Sequence, residues 1–509
     1  MKKWLGILLP LIIIGMFSCE QPINPVSEGV LTFSSDTVKY DSLFVNFQSV
    51  SERLLVYNET GRDINIDRVW LESGEESEFD MIVDGIRGND VNDVVIARGD
   101  SAHLFITLKS ELLDEFTEEY ISFQVGENVQ RLLLYAKVKD AYLLRARVKR
   151  GFFGTRDELE PGSFVFFRDT TLTPEKPIII DGPIIVAPGV KVDVMPGTEI
   201  FFTPYKIRTD IDPAPLDTFA FYSTLIVQGT LRAQGTPSMP VVFQGMRFDS
   251  VFQELPAQWQ GIYFTPSSQD NLLEHVVIKN GVQGVIVDSS ARNGQPKLVM
   301  RNSRIRNMGA YGIVGLGKDP GLSPNFGSDL IYMENSIINT CKLNTVLLFG
   351  GGKYTFNNCT FANYSIFTSA RGPQVRISNL LVGDSALFAF PSITRFNNCV
   401  VYGERDDEVV LDTLPEAPLD ELIFDHCVLP LSEDYDFALR PHLTSSLVNI
   451  SPEFNGPYVR DYRPVLGSPL INAGKDIPGL FLDVRGLLEF ARTDTLDIGA
   501  YEYSLIEED

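Results

Sequence analysis

The sequence predicts an all-β chain in two parts, an antiparallel β-sandwich followed by a coiled parallel β-solenoid that takes up most of its 509 residues. Three observations carry this reading. A six-residue phrase recurs as HVVIKN from His275, NSRIRN from Asn302, NSIINT from Asn335, NCTFAN from Asn358, NLLVGD from Asn379, NCVVYG from Asn398 and HCVLPL from His426, with starts that step by 27, 33, 23, 21, 19 and 28 residues. Such irregular periods suit coils that must restore strand register while the loops between strands vary. Upstream, residues 29–143 alternate apolar and polar positions in short runs separated by turn signals, the pattern of half-buried antiparallel strands. Between the two, Ala187-Pro188-Gly189 and Met195-Pro196-Gly197 repeat one corner device, Pro presetting one turn position and Gly supplying the φ > 0 position.

In chain order, residues 1–19 form an export signal. Lys2 and Lys3 are its basic start, and Leu5 to Gly15 an apolar core too short to span a bilayer. Its end, Met16-Phe17-Ser18-Cys19, resembles a bacterial lipobox with Met in place of the commoner Leu. The resemblance implies cleavage before Cys19 and lipid attachment to it. The plainer alternative is an ordinary secretory signal with an incidental Cys. A Pro-containing tether, residues 20–28, follows, and no other stretch has the length and apolarity of a membrane span. Lys+Arg 43 against Asp+Glu 67 gives a net charge of −24, which repels polyphosphate and excludes nucleic acid as an expected partner.

Residues 29–143 carry the strand-like runs RLLVYN, INIDRVWL, HLFITL, YISFQV and RLLLYAKV, with turns at Glu59-Thr60-Gly61 and Arg98-Gly99-Asp100. Val56 to Gly61 before an Ile-x-Ile strand, and Arg98 to Ser101 before Phe105-Ile106, resemble the phrasing of Hydin-like immunoglobulin-type domains. That resemblance implies a spacer or binding module.

The solenoid is expected over residues 144–440. LIVQGTLRAQG from Leu225 and QWQGIYF from Gln258 resemble the opening coils of right-handed parallel β-helix proteins of the pectin-lyase-like type. Asn opens five copies, Asn302, Asn335, Asn358, Asn379 and Asn398, because it tolerates left-handed geometry at a corner and its amide can bond the next coil's Asn. Such ladders characterise pectate-lyase-like helices, so a structural role is expected for all five. Cys359, Cys399 and Cys427 share the second position, which predicts an internal stack of reduced thiols rather than disulfides. Cys341 is the remaining cysteine of the solenoid. No CxxC pair occurs, and the four His have no metal-ligand spacing.

Residues 441–509 carry SPLINAGKD from Ser468, Asp483-Val484-Arg485-Gly486 and LDIGAYEY from Leu496. These resemble the closing segment of bacterial β-helix surface proteins, where a terminator must protect the exposed strand edge. Asp483, Arg485 and Asp497 are expected to form a buried structural charge cluster, with metal binding the alternative. Taken in order, these phrases resemble a type of Bacteroidota lipoprotein, itself of uncharacterised function, with an immunoglobulin-like sandwich before a pectin-lyase-like right-handed helix. The resemblance implies fold and compartment without implying a task.

Several constellations approach known catalytic or binding motifs. Gly312 to Gly317 with Lys318 and Asp319 approaches a phosphate-binding loop, but Asp319 stands where a hydroxyl is needed and no strand-loop-helix context surrounds it, so no nucleotide is expected. Arg304-Ile305-Arg306 and Asp406-Asp407 resemble the RIK phrase and paired aspartates of polygalacturonases, in reversed order and without their GHG and NTD phrases. No catalytic, cofactor-binding or metal residue is therefore assigned, and Cys19 is the one assigned site. Gly350-Gly351-Gly352 is read as corner packing and Trp259 as a coil anchor rather than a sugar platform. Tyr332, Tyr354, Phe356 and Tyr364 offer stacking faces wherever they point outward. Asp-Ser/Thr followed by a small or aliphatic residue, at Asp36, Asp41, Asp100, Asp169, Asp249, Asp384, Asp412 and Asp494, resembles the O-glycosylation acceptor of Bacteroidota; the alternative is that these residues only start strands and turns.

The expected function is a lipid-anchored, outer-membrane cell-envelope protein that displays its β-helix for non-catalytic binding of glycan or matrix, with Ca²⁺ as a possible bridge to an anionic polymer. A polysaccharide lyase or glycoside hydrolase, and a purely structural envelope component, are the alternatives. Both the periplasmic and the exterior face of that membrane are compatible with the signal.

Overall fold

The computed structural model describes residues 25–503 apart from 45–50, 109–115, 147–148, 151–158, 161–162, 205, 208–219, 222, 248–253, 292, 318–327, 365–371, 383–386, 434–437, 481–482 and 486–494. Cys19 and its signal, Lys318-Asp319, Asp249, Asp384 and Asp494 lie outside the described residues. The chain divides into two compact units, Met1–Asp140 and Ala141–Asp509.

The first unit is a β-sandwich. One five-stranded sheet contains Glu52–Tyr57, Ser101–Leu108 and Phe79–Val83, and the other contains Thr37–Phe44, Asn128–Lys139, Phe116–Val125, Ile64–Leu71 and Asp90–Ile96. Among these strands pairing is antiparallel except where Asn128–Lys139 runs parallel to Thr37–Phe44. Alternation delivers Leu54, Val56, Leu104 and Ile106 from one sheet and Ile64, Ile66, Val69 and Phe123 from the other into a shared core. The two turn phrases dock on each other: the Asn58 N–H donates to the Asp100 carbonyl (3.0 Å), and the Gly99 N–H to the Asn58 carbonyl (2.9 Å). The buried Asn58 amide donates to the carbonyls of Arg62, Ile96 and Ala97, and its oxygen accepts from Thr60.

The second unit is a right-handed parallel β-helix. Among the described residues it forms three long all-parallel sheets of 11, 9 and 10 strands, between which the chain cycles coil by coil. The interior is one continuous apolar stack from Phe166 to Leu439. Val190 N–H closes on the Ala187 carbonyl and Thr198 N–H on the Met195 carbonyl, with Gly189 at φ 75° and Gly197 at φ 79°, so both Pro-Gly devices are corners.

The recurring phrase supplies successive strands of the 11-stranded sheet, Val276–Lys279, Arg304–Met308, Ile337–Cys341, Thr360–Asn363, Val400–Gly403 and Val428–Leu429. Its opening residue is left-handed in each: His275 (φ 48°), Asn302 (48°), Asn335 (45°), Asn358 (47°), Asn398 (51°) and His426 (51°). The Asn379 copy is a correction. Leu380–Val382 pairs antiparallel with Leu387–Ala389 in a separate hairpin, and the sheet passes directly from Thr360–Asn363 to Val400–Gly403. The Asn ladder is partial: the Asn398 amide donates to Asn358 Oδ1 at 2.9 Å, while Asn302 Nδ2 stands 3.5 Å from His275 Nε2.

The second position forms a Ser/Cys ladder. Ser303, Ser336, Cys359, Cys399, Cys427 and Ser446 each donate to the carbonyl two residues back. Ser303, Ser336, Cys427 and Ser446 also accept a backbone N–H from the preceding coil. The thiols of Cys341, Cys359, Cys399 and Cys427 are free and buried.

The C-terminal residues lie along the outer face of the 11-stranded sheet. Tyr462, Val484, Ala500 and Tyr501 pack on Ile337 and Ala362, and Leu470 and Ile498 on Val400 and Val428. Asp483 and Arg485 pair at 2.6 Å, Arg485 donates to the Glu502 carbonyl, and the buried Asp497 carboxylate accepts the N–H groups of Asn472 and Tyr503. This is a structural charge cluster tying the segment together.

Candidate functional site

Near the C-terminal end of the stack, the strand Val400–Gly403 runs into a loop that faces residues 430–433 and Asn449 across an open cleft of about 470 Å³. Its walls are Tyr402, Glu404, Arg405, Asp406, Leu431 and Glu433. Backbone contacts fix each wall. Ser432 N–H donates to Asp407 Oδ1 (3.3 Å), and the Asn449 side chain brackets Leu431, accepting its N–H at 2.7 Å and donating to its carbonyl at 3.0 Å.

Glu408 holds the loop from beneath. It is 1% exposed, accepting the Arg405 N–H at 3.1 Å and the Gln374 N–H at 3.0 Å. Burial pushes its carboxyl up to about 7, against the lowering effect of those two N–H bonds. Gly403 must lack a side chain, because a Cβ there would collide with Glu408 Oε1 and the Gln374 amide. An aromatic group borders the loop: Tyr458, 58% exposed, hydrogen-bonds to Glu404, which raises the Tyr458 phenol above its ordinary range, and its ring lies 5.4 Å from Tyr364. The arrangement joins carboxylate acceptors, a guanidinium donor and tyrosine faces around one concavity. Such a surface suits a polyhydroxylated ligand, whose hydroxyls meet the polar groups and whose C–H faces meet the rings.

Asp406 lines the cleft, and Tyr364 belongs to its aromatic border. Arg304 and Arg306 stand on the outer face of the 11-stranded sheet, three strands away from Val400–Gly403 in sheet order. Tyr354 and Phe356 point into the solenoid and are fully buried, so they offer no stacking face. Tyr332 is on the outer face of the 10-stranded sheet, donating to Glu334 at 2.8 Å. Trp259 anchors its coil: it is fully buried, stacks on Phe202 with centroids 3.8 Å apart, and donates to the Lys279 carbonyl. Gly312, Gly315 and Gly317 are spaced for contact between coils, since Cβ atoms there would strike Ile338, Tyr354 and Gly351, and Gly351 itself packs on Pro391. Among the described residues no group of three or more His, Cys, Asp or Glu is placed to share a metal ion. Sequence reasoning missed Glu404, Glu433, Tyr402 and Tyr458, which come from segments that meet only in three dimensions.

No protein-family model matches the chain. A search of curated proteins likewise returns no match. Among solved structures, a family 123 glycoside hydrolase from Clostridium perfringens, described in work on glycolipid glycan hydrolysis, is similar at 7% identity and a TM-score of 0.16. The match covers 22% of this chain and 30% of that one. At that overlap the likeness says nothing of activity.

Proposed function

We propose that this chain is a lipid-anchored cell-envelope protein of the outer membrane whose β-helix binds glycan without cleaving it, the immunoglobulin-like sandwich acting as a spacer. The cleft carries this reading: Tyr402, Glu404, Arg405, Asp406 and Glu433 line it, and Tyr458, hydrogen-bonded to Glu404, adds an exposed ring at its border, so stacking faces and hydroxyl-binding groups come together. The solenoid adds a surface that repeats about every 4.8 Å, which suits a polymer with its own repeat. The anchor is supported by the Met16-Phe17-Ser18-Cys19 signal, and two or three acyl chains would hold the protein firmly in a membrane.

A hydrolase reading has one observation behind it, the raised carboxyl of Glu408 near Asp406. Against it, both Glu408 oxygens are taken up, one by the Arg405 N–H of the loop and the other by the Gln374 N–H. A glycan array with and without Ca²⁺, followed by assays for reducing ends and unsaturated products on any hit, separates the readings. Binding lost in Tyr458→Ala without product supports the proposal, and product formation replaces it with the enzyme. For the anchor, Cys19→Ala should move the protein to the soluble fraction; a variant that still pellets with membranes and resists salt refutes lipidation.

A further inference from the structure

On the outer faces of the solenoid, cations meet carboxylates. Arg145 and Asp181 are register partners in adjacent strands and pair at 2.9 Å, and Arg301 and Glu334 do the same at 2.7 Å. Lys279 and Arg306 depart from this. They are register partners on the 11-stranded sheet, flanking the inward-facing Ile278 and Ile305, so two like charges stand side by side. Like charges directly across a ladder are destabilising. Arg304 shares that strand, and Arg460 brings a further guanidinium from the C-terminal segment.

Glu254 serves this group at contact distance. Glu254 Oε2 alone receives Arg306 (3.4 Å), Arg460 (3.1 Å) and the Asn307 amide (2.6 Å). Against the opposing effect of burial, Arg306, Asn307 and Arg460 hold its carboxyl below the usual range. Lys279 has no side-chain hydrogen bond or ion pair among the described residues; burial, then Arg306, draws its ammonium below the ordinary lysine value, though Glu254 and Glu199 oppose this. Burial also lowers the Arg306 guanidinium, more than Glu254 restores it. Lys279 and Arg306 are thus adjacent, partly buried cations, with Arg460 sharing their neighbour Glu254, in a chain of net charge −24.

We propose that Lys279, Arg306 and Arg460 bind a carboxylate or sulfate group, the charged substituent of an acidic glycan. A tetrahedral or planar oxyanion offers several acceptors to an ammonium and two guanidiniums, and relieves the repulsion between Lys279 and Arg306. The glycan as carrier rests on the function proposed above; the anion site does not.

Isothermal titration of the full chain with sodium sulfate against chloride at matched ionic strength, with an oligogalacturonide, and with a neutral oligosaccharide tests this. Saturable binding of sulfate and oligouronide is expected. It should weaken about tenfold or more in Lys279→Gln, which removes a charge-assisted bond, and persist in Lys279→Arg. The melting temperature of Lys279→Gln should match or exceed the parent's, because Lys279 gives up no side-chain bond among the described residues and its repulsion with Arg306 is removed. Sulfate binding without oligouronide binding supports the site and assigns its ligand to the free anion. No saturable sulfate binding, or equal affinity in Lys279→Gln, overturns the proposal. Neutral-sugar binding that falls in Tyr458→Ala and ignores Lys279→Gln reports the cleft alone, so failure of either reading is seen separately.

Discussion

Glu408→Gln should make the solenoid around the cleft less sensitive to pH. Glu408 holds its proton up to about 7 in the fold against an ordinary value of 4.5. Below pH 4.5 the folded and unfolded chains both carry that proton, and nothing is lost. Between 4.5 and 7 only the folded chain keeps it, so stability falls as pH rises, and above 7 the full cost of a buried carboxylate is present. A shift of this size corresponds to about 3 kcal/mol at 1.36 kcal/mol per unit. Gln resembles the neutral acid: one oxygen remains to accept a backbone N–H, and no charge develops. The variant should fall below the parent near pH 4 by the cost of the one backbone N–H left without an acceptor, and the difference between the two should then move in the variant's favour by about 3 kcal/mol between pH 4 and pH 8. Hydrogen-exchange mass spectrometry on peptides covering 399–433, corrected for the intrinsic pH dependence of exchange, reads this locally. Parallel profiles for parent and variant, or a difference that moves in the parent's favour as pH rises, would refute the reasoning.

Trp259→Ala should cost about 3–5 kcal/mol through the cavity beside Phe202, with a further loss from the stranded Lys279 carbonyl; Trp259→Phe should cost less, and urea unfolding followed by circular dichroism would measure both. The buried thiols of Cys341, Cys359, Cys399 and Cys427 should resist iodoacetamide in the native protein and react on unfolding, burial also raising the pKa of Cys341, Cys399 and Cys427; rapid native labelling counted by mass spectrometry would contradict the packing. Of the Asp-Ser/Thr sites, Asp100 accepts the Ser101 N–H within its own turn, and Asp169 accepts the Lys191 N–H of the adjacent coil, so both have structural work; intact-mass spectrometry of native protein should nonetheless show added hexose mass if the motif is used, and a mass equal to the lipidated, unsugared chain removes the modification.

Local geometry was legible in the sequence, and long-range placement was not. The corner residues could be read because a left-handed position accepts few side chains, and His275 and His426 share with Asn a polar group that can act across coils. The same rule produced the false copy at Asn379, since six residues describe a strand without describing its partner. Reaching Asn398 from Asn358 takes 40 residues, and the excess folds into the hairpin of Leu380–Val382 with Leu387–Ala389. The cysteine stack was expected, yet Ser303, Ser336 and Ser446 belong to the same ladder. Serine in the second place of NSRIRN and NSIINT was the available signal. The cleft gave no such signal, because its walls come from separate coils and a buried glutamate looks like any other in the sequence.

The packing of the C-terminal segment was written into the repeats all the same. In a solenoid exposed on its outer face, the third position of the phrase should be polar, as Arg304 is in NSRIRN. From Ile337 onward it reads Ile337, Thr360, Val400 and Val428, and the fifth position offers Ala362, all of them buried although they point away from the core. An apolar outward row over successive coils requires a cover, because a patch of that length left in water is an aggregation surface. The chain supplies the cover itself: Tyr462 bonds Asn339 at 3.0 Å, Ala500 bonds Thr360 at 3.0 Å, and Leu470 and Ile498 close over Val400 and Val428. The row turns polar again at Arg304 and Arg306, where Arg460 reaches Asn307 and Glu254. The change from apolar to cationic along one sheet face therefore marks where the cover gives way to charge, which is where the anion site is proposed.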